Sequence, residues 1–151
     1  MDVQIVVPFG GDDPQRTKLR DWIVDRYRRL HPKWPVTIAM CDGEWSKGKA
    51  VNPVVAGLDP DVVVVADADS FVDPNLLIEA VGVAQRCGWA YPHGTTHRIC
   101  EPDTARLLAG EDVPEPAVHV RPTNAVPGGG IVVVTREAWA TVKGLDANFV
   151  G

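Results

Sequence analysis

The chain alternates short apolar runs with stretches in which apolar residues return every three or four positions. Val3 to Pro8 is a compact run rich in valine and isoleucine, which reads as a buried strand. Gly10-Gly11-Asp12-Asp13-Pro14 follows, with glycines for a turn, an aspartate able to cap a helix, and a proline suited to the first helical turn. Leu19, Trp22, Ile23, Tyr27 and Leu30 then fall on one helical face, opposite Arg and Asp, until His31-Pro32 ends the pattern. Val36 to Met40 predicts a second strand, left through a turn at Cys41-Asp42-Gly43. Ser46 to Leu58 has helical character, but Pro53 would remove a hydrogen bond from its interior, so the helix is expected to start near Asn52.

Val62 to Ala66 is a continuous apolar run, the pattern of a central parallel strand covered on both faces. Asp73-Pro74 marks a second capped start, leading into a helix to about Arg86 with Leu76, Leu77, Ala80, Val81 and Ala84 as its apolar face. Trp89 to Tyr91 predicts a fourth strand. From Pro92 to Pro127 periodicity fades into prolines, glycines and charges, which predicts a long loop region with at most short elements. Gly128-Gly129-Gly130 opens a last strand, Ile131 to Val134, and Thr135 caps a short helix through about Val142, closed by Gly144. Such alternation of strands and helices predicts an α/β fold with a mainly parallel sheet.

With 151 residues, the length suits one domain with one core. Fifteen Lys and Arg against 20 Asp and Glu give a net charge of −5, which argues against general nucleic-acid binding but leaves room for a phosphate held locally by a metal or a few lysines. Cys41, Cys87 and Cys100 are odd in number, widely spaced and without a C-x-x-C, so neither a zinc site nor a disulfide framework is expected, and a reducing compartment is. The N-terminus lacks the pattern of a signal peptide, and no apolar run is long enough to span a membrane. The expected location is cytoplasmic.

In open α/β sheets, ligands bind beyond the carboxyl ends of the strands. Three such ends carry unusual residues: Pro8-Phe9-Gly10-Gly11-Asp12-Asp13, Asp42-Gly43-Glu44 and Asp67-Ala68-Asp69. In an extended segment Asp67 and Asp69 project to one side and Ala68 to the other. Two carboxylates leaving a buried strand together repel, and a hard divalent cation relieves that repulsion while bridging them to a diphosphate. The plain alternative is a pair of solvated acids at a strand-to-helix turn.

The surroundings of this tripeptide add a specific likeness. Ser46-Lys47-Gly48-Lys49-Ala50-Val51-Asn52, followed by Asp61 to Asp69, resembles the donor-site half of family 2-type glycosyltransferases with the GT-A fold. The first strand ending in Pro8-Phe9 and the second ending at Asp42 fit the same pattern. Gly128 to Trp139, then Gly144-Leu145-Asp146-Ala147-Asn148-Phe149, resemble the acceptor-side segment of the galactosyl- and N-acetylgalactosaminyltransferase branches. The resemblance runs in order across most of the chain. It implies a Rossmann-like three-layer sandwich over residues 1–151, a nucleotide-sugar donor that is UDP-linked, an acceptor hydroxyl, and Mn²⁺ or Mg²⁺.

The same resemblance implies residue roles. The loop of Pro8, Phe9, Gly10 and Gly11 passes under the nucleotide, and Asp42 accepts a hydrogen bond from the base. Lys49 or Lys47 approaches the phosphates, and Asn52 supports the donor pocket or caps the helix. Asp67 meets ribose or metal, Ala68 lies between, and Asp69 meets metal. Gly129 and Gly130 let the backbone come close to the donor sugar or acceptor. In the resembled family a Trp-Gly and an acidic pair follow the Gly-Leu-Asp turn, and one of those acids is the general base; this implies a base beyond Gly151.

Other motifs give less. His93 and His97 have the spacing of a helical metal pair, but Pro92 and Gly94 oppose a helix there. No G-x-G-x-x-G, P-loop or G-x-S-x-G stands in the chain. Trp45, Trp89 and Trp139 are expected in the core or as pocket wall. Two rival readings stay open. One is a nucleotidyltransferase, disfavoured by Asp12 and Asp13 in a loop that would normally be basic. The other is a domain that binds nucleotide or a partner without catalysis.

Overall fold

A computed structural model describes residues 1–121 and 130–149, with the side chains of Val120 and Arg121 set aside. The chain divides into two compact units: residues 1–92 with 129–151, and residues 93–128.

In the first unit the elements are β1 (Val3–Pro8), α1 (Pro14–Leu30), β2 (Val36–Ala39), α2 (Lys47–Leu58), β3 (Val62–Ala66), α3 (Pro74–Cys87) and β4 (Trp89–Ala90). The second unit supplies β5 (Thr96–Ile99), α4 (Glu101–Leu108) and β6 (Val118–Arg121); the first resumes with β7 (Ile131–Thr135) and α5 (Arg136–Val142).

The first unit is built on a five-stranded sheet in the order β2-β1-β3-β7-β4. Strand β1 pairs in parallel with β2 and β3, whereas β7 runs antiparallel to both β3 and β4. Four strands therefore point one way and β7 alone is reversed, which agrees with the mainly parallel sheet expected from the alternation. Direction cannot be read from a five-residue run such as Ile131–Thr135, so this reversal is a property of the tertiary fold.

The period-two side-chain pattern of the strands divides the core. Val3, Ile5, Val7, Val62, Val64, Ala66, Ile131 and Val133 face Ile23, Val24 and Tyr27 of α1 and Leu77, Ala80, Val81 and Ala84 of α3. Val6, Val63 and Val65 face Ala50, Val51 and Val55 of α2, with Trp139 of α5 and Leu145 packed against them. Helices thus cover both faces of β1 and β3, as the unbroken apolar run of β3 requires; in β1 the buried Gln4 is satisfied by hydrogen bonds to the Pro35 carbonyl and Thr37.

Both Asp-Pro starts behave as expected. Asp13 accepts a hydrogen bond from the Arg16 amide (2.8 Å) and Asp73 from the Asn75 amide (2.8 Å), each with proline in the first turn. The start of α2 corrects the sequence expectation. Ser46 is its N-cap, and Pro53 lies inside it rather than in its first turn. An interior proline costs about 3 kcal/mol. Burying Val51 and Val55 against the sheet stabilises by about 1.5–3 kcal/mol each, and the Ser46 cap adds to this, so packing outweighs the local penalty.

Three apolar positions also depart from expectation. Leu30 at the end of α1 and Leu76 at the start of α3 are exposed. Trp89 is 51% exposed on edge strand β4, in an edge-to-face contact with Tyr91 (centroids 5.3 Å apart), and is not a core residue.

The second unit pairs β5 with β6 as an antiparallel ribbon around α4. Asp103 joins the two ends of this excursion: it accepts from the Ala117 amide (2.8 Å) and pairs with Arg106, which also holds Glu111. The Ala117 amide, then Arg106, hold the Asp103 carboxyl below its usual range. Its elements are short, as expected, and are joined by polar ties; α4 has no buried residue. His97 lies on strand β5, with His93 ahead of it, so the pair is not helical. Among the described residues no helix is long and apolar enough to cross a membrane.

Candidate functional site

The carboxyl ends of β1 and β3 open into a pocket of about 320 Å³, lined by Pro8, Phe9, Arg16, Leu19, Trp45, Lys47, Asp67, Ala68, Asp69 and Phe149. Every lining residue belongs to the first unit.

Its acidic wall is a turn. Strand β3 ends at Ala66, and the Ser70 amide donates to the Asp67 carbonyl (3.0 Å), closing a tight turn over residues 67–70. Ala68 borders the pocket between the two aspartates and also packs against the apolar core. Two supports hold this turn. The Asp67 amide donates to the Gly130 carbonyl (2.7 Å), and the Gly130 amide donates to Asp67 Oδ2 (3.1 Å). From below, the Tyr27 hydroxyl donates to the Ser70 carbonyl (3.1 Å). Burial is the main reason the Tyr27 phenol is held well above its usual range, so it remains a donor at all ordinary pH.

The reversed strand explains Gly130. Because β7 is antiparallel to β3 with Ile131 opposite Ala66, the residue before β7 falls beside the residue after β3. Gly130 has φ +83°, a backbone conformation that favours glycine. Its amide is thus engaged with Asp67. Gly129, the other glycine singled out from the sequence, lies outside the described residues.

The cationic wall comes from two helices. Lys47, the first residue of α2, makes an ion pair with Asp67 Oδ1; the two side chains are about one-third exposed (37% and 32%). Lys49 is exposed, is not among the lining residues, and contributes its amide to the Ser46 cap (3.5 Å). Two residues apart on a helix are about 200° apart around its axis, so only one of these lysines can face the pocket. The misplaced start of α2 is what left the choice between them open. Arg16, at the start of α1, lines the pocket and has no carboxylate partner among the described residues. Its guanidinium lies 5.9 Å from the centre of the Phe9 ring, and Arg20 lies 4.5 Å from the same ring. Arg16 was not read as a site residue from the sequence, and Leu19 was read only as part of the apolar face of α1; the available signal was an arginine in the first turn of a helix that begins at a strand's carboxyl end.

The floor is apolar. Phe9 is buried, and a Cβ added at Gly10 would lie 2.7 Å from Trp45 Cδ2, so Gly10 lets the indole close down on the loop. Trp45 forms pocket wall and Trp139 packs in the core, as expected. The last wall is Phe149, held by a clip on α2. Asn52 donates to the Leu145 carbonyl (2.8 Å) and accepts from the Leu145 amide (3.0 Å), while Ser46 donates to the Ala147 carbonyl (2.9 Å). Gly48 lets the segment approach, since a Cβ there would lie 2.7–2.8 Å from the backbone of Asp146 and Ala147. Asn52 therefore supports the pocket indirectly, and the cap expected of it is made by Ser46. Asp42 is exposed and lies outside the lining set.

Among the described residues no three His, Cys, Asp or Glu side chains gather as a metal-binding group. The donor set still fits one kind of cation: Mg²⁺ and similar ions are held by one or two carboxylates together with substrate phosphates. Asp69 is exposed, and its carboxylate accepts only a neighbouring hydroxyl, from Ser70 (3.2 Å), among the described contacts. It keeps lone pairs for such an ion.

No protein-family model matches the chain, and no curated protein sequence matches it. Solved structures do resemble it. The 2-C-methyl-D-erythritol 4-phosphate cytidylyltransferase of Thermus thermophilus aligns over 99% of this chain and 81% of its own, with TM-score 0.51 and 19% identity. The bifunctional IspDF of Campylobacter jejuni aligns over 100% and 45%, with TM-score 0.53 and 11% identity. The mannosyltransferase PcManGT of Pyrobaculum calidifontis, solved in complex with GDP-Man and Mn²⁺, aligns over 97% and 48%, with TM-score 0.52 and 17% identity. The chain spans about half of the last two proteins. At these identities the likeness defines the fold: a mixed α/β, Rossmann-like architecture with a mainly parallel sheet.

Proposed function

We propose that this chain is a nucleotide-dependent transferase domain that binds a nucleotide-sugar, UDP-linked, at the Asp67 turn and serves transfer of the sugar to an acceptor hydroxyl. The observation that carries this reading is the Asp67-Ala68-Asp69 turn set at the carboxyl end of β3, facing Lys47 and Arg16 across a pocket with an apolar floor. The likeness to a mannosyltransferase solved with GDP-Man and Mn²⁺ supports it at the level of fold.

In this reading Phe9 and Trp45 flank the nucleoside, with Asp42 reaching the base from the next strand end. Lys47 and Arg16 neutralise the diphosphate. Asp69, with Asp67 beside it, would hold Mn²⁺ or Mg²⁺, which supplies charge stabilisation for the departing nucleoside diphosphate. Gly130 keeps Asp67 oriented. The acids in the pocket, Asp67 and Asp69, are both assigned to the donor side, so the reading covers donor binding and leaves the base for the acceptor outside it. The galactosyl- or N-acetylgalactosaminyltransferase branch remains part of the proposal through the Gly144 to Phe149 segment.

Nucleotidyl transfer is the second reading. Its favouring observation is Arg16, which with Lys47 gives the pocket the two cations that the first loop lacks. The likeness to a cytidylyltransferase supports it equally at the level of fold. Calorimetry with UDP, GDP and UDP-sugars, with and without Mn²⁺, tests the main proposal. Metal-dependent binding of UDP and UDP-sugars, lost in Asp69→Ala, is the expected result. Binding of CTP in preference to these, with pyrophosphate release on adding a sugar phosphate, would favour the second reading. Binding of no nucleotide would overturn both.

A further inference from the structure

The pocket holds two carboxylates and two cations, so its formal charge balances without any metal. Both oxygens of Asp67 are engaged, Oδ1 by the Lys47 ammonium and Oδ2 by the Gly130 amide. The Gly130 contact is fixed by the register of β7 on β3. The Lys47 contact is of another kind. Its backbone is pinned at the start of α2 by the Ser46 cap and the clip to Leu145 and Ala147, but its ammonium is carried on a flexible four-carbon stem and is partly exposed.

We infer that Lys47 is a displaceable counter-cation that couples metal binding to phosphate binding: it rests on Asp67 when the pocket lacks a phosphate and moves to the phosphate when one enters. The inference deepens the reading of the pocket as a nucleotide site and rests on it. A divalent cation approaching alone meets Asp67 already paired, and meets the repulsion of Lys47 and Arg16 besides. A diphosphate offers the ammonium a better acceptor, because it carries more charge and more oxygens. Departure of Lys47 would free Asp67 Oδ1, so that Asp67 and Asp69 together would hold a divalent cation that supplies charge stabilisation to the diphosphate. Metal and nucleotide therefore each strengthen the other, and by the same factor. Direct ligation of a cation by the diphosphate also couples the two, so the share that Lys47 supplies is the part its substitution removes.

The test is a Mn²⁺ titration of the full chain, followed by the paramagnetic resonance signal of free Mn²⁺, without ligand and with saturating UDP. Calorimetry of UDP in EDTA runs beside it. Wild type is expected to bind Mn²⁺ weakly alone and about tenfold more tightly with UDP. In Lys47→Met, Mn²⁺ alone should bind at least about fivefold more tightly, since a positive charge has left its neighbourhood. The enhancement by UDP should shrink, and UDP in EDTA should bind less well. Lys47→Arg should stay close to wild type. Unchanged or weaker Mn²⁺ binding by a folded Lys47→Met chain, with UDP still bound, overturns the inference alone. A wild-type Mn²⁺ affinity that ignores bound UDP, whatever the variants do, overturns this inference and the metal-dependent part of the functional reading together. Failure of the wild type to bind any nucleotide brings down the functional reading, and this inference with it.

Discussion

The two ends of strand β3 carry the same kind of residue and use it differently. At its entrance stands Asp61, with Asp59 two residues before it. Asp61 accepts from the Asp2 amide (2.8 Å) and pairs with Arg136 (3.1 Å), which also grips Asp59 and donates to the Pro60 carbonyl (3.1 Å). The Asp2 amide is the chief reason the Asp61 carboxyl lies below its usual range. This end is a latch: it ties the N-terminus and α5 to the sheet, and its acids are matched by donors of the fold itself. At the exit, Asp67 is matched by a backbone amide set by strand register and by a lysine on a long side chain, and Asp69 by a neighbouring hydroxyl. An acid at a strand end is therefore a weak signal. What distinguishes a ligand site is the acceptor capacity that the fold leaves unspent beside a cavity.

The largest effect should come from exchanging the two ends. Asp69→Ala should lower metal-dependent nucleotide affinity by about a hundredfold or more. Asp61→Ala should leave that affinity within about twofold, since additivity holds between well-separated sites. Calorimetry on the two variants checks this, and equal losses would end the distinction.

Gly48→Ala probes the clip behind the exit end. Helix propensity favours alanine by about 1 kcal/mol, but the new Cβ would lie 2.7–2.8 Å from the backbone of Asp146 and Ala147. Overpacking costs about 1–3 kcal/mol and is expected to prevail. Urea denaturation should show the loss, and displacement of Phe149 should weaken nucleotide binding as well.

Tyr27→Phe removes the hydroxyl under the Asp67 turn. The expected cost is about 1 kcal/mol, with a modest loss of metal-dependent nucleotide affinity, because the Ser70 carbonyl loses its donor. A stability loss without any change at the pocket would show that the turn stands without this prop.

The smallest effect belongs to pH. His31 is buried and stacked on Trp34 (centroids 4.5 Å apart), and burial, then Arg26, hold its pKa below the usual value. Its neutral form is the one the fold prefers. Its contribution is fully present above about pH 6.5, the unfolded value, and is lost as pH falls from there through the folded value. Thermal melts between pH 7.5 and 5 should show this decline, flattened in His31→Gln, with the wild-type pocket's occupancy by Mn²⁺-UDP read separately.

Much of the fold was legible because its signals are local. The short, β-branched valine runs bounded by turn residues favour buried strands, and the Asp-Pro pairs at 13–14 and 73–74 announce helices through donors that lie within three residues. The Asp67 turn was legible for the same reason, as two acids leaving one such run. Pro53 misled because its penalty is local while the burial of Val51 and Val55 that outweighs it is not.

Sequence alone thus determined strands β1 to β4 and β7, the Asp-Pro-capped helices α1 and α3, and the acidic turn at the end of β3, since each rests on near neighbours and on simple periodicity. Tertiary structure alone decided the rest. The reversal of β7 set the Gly130 amide on Asp67, the rotation of α2 chose Lys47 over Lys49, and the packing of α1 brought Arg16 to the pocket and Tyr27 beneath it. Those choices depend on contacts between residues 20 to 63 positions apart, where direction and rotation, rather than residue type, decide which side chains meet.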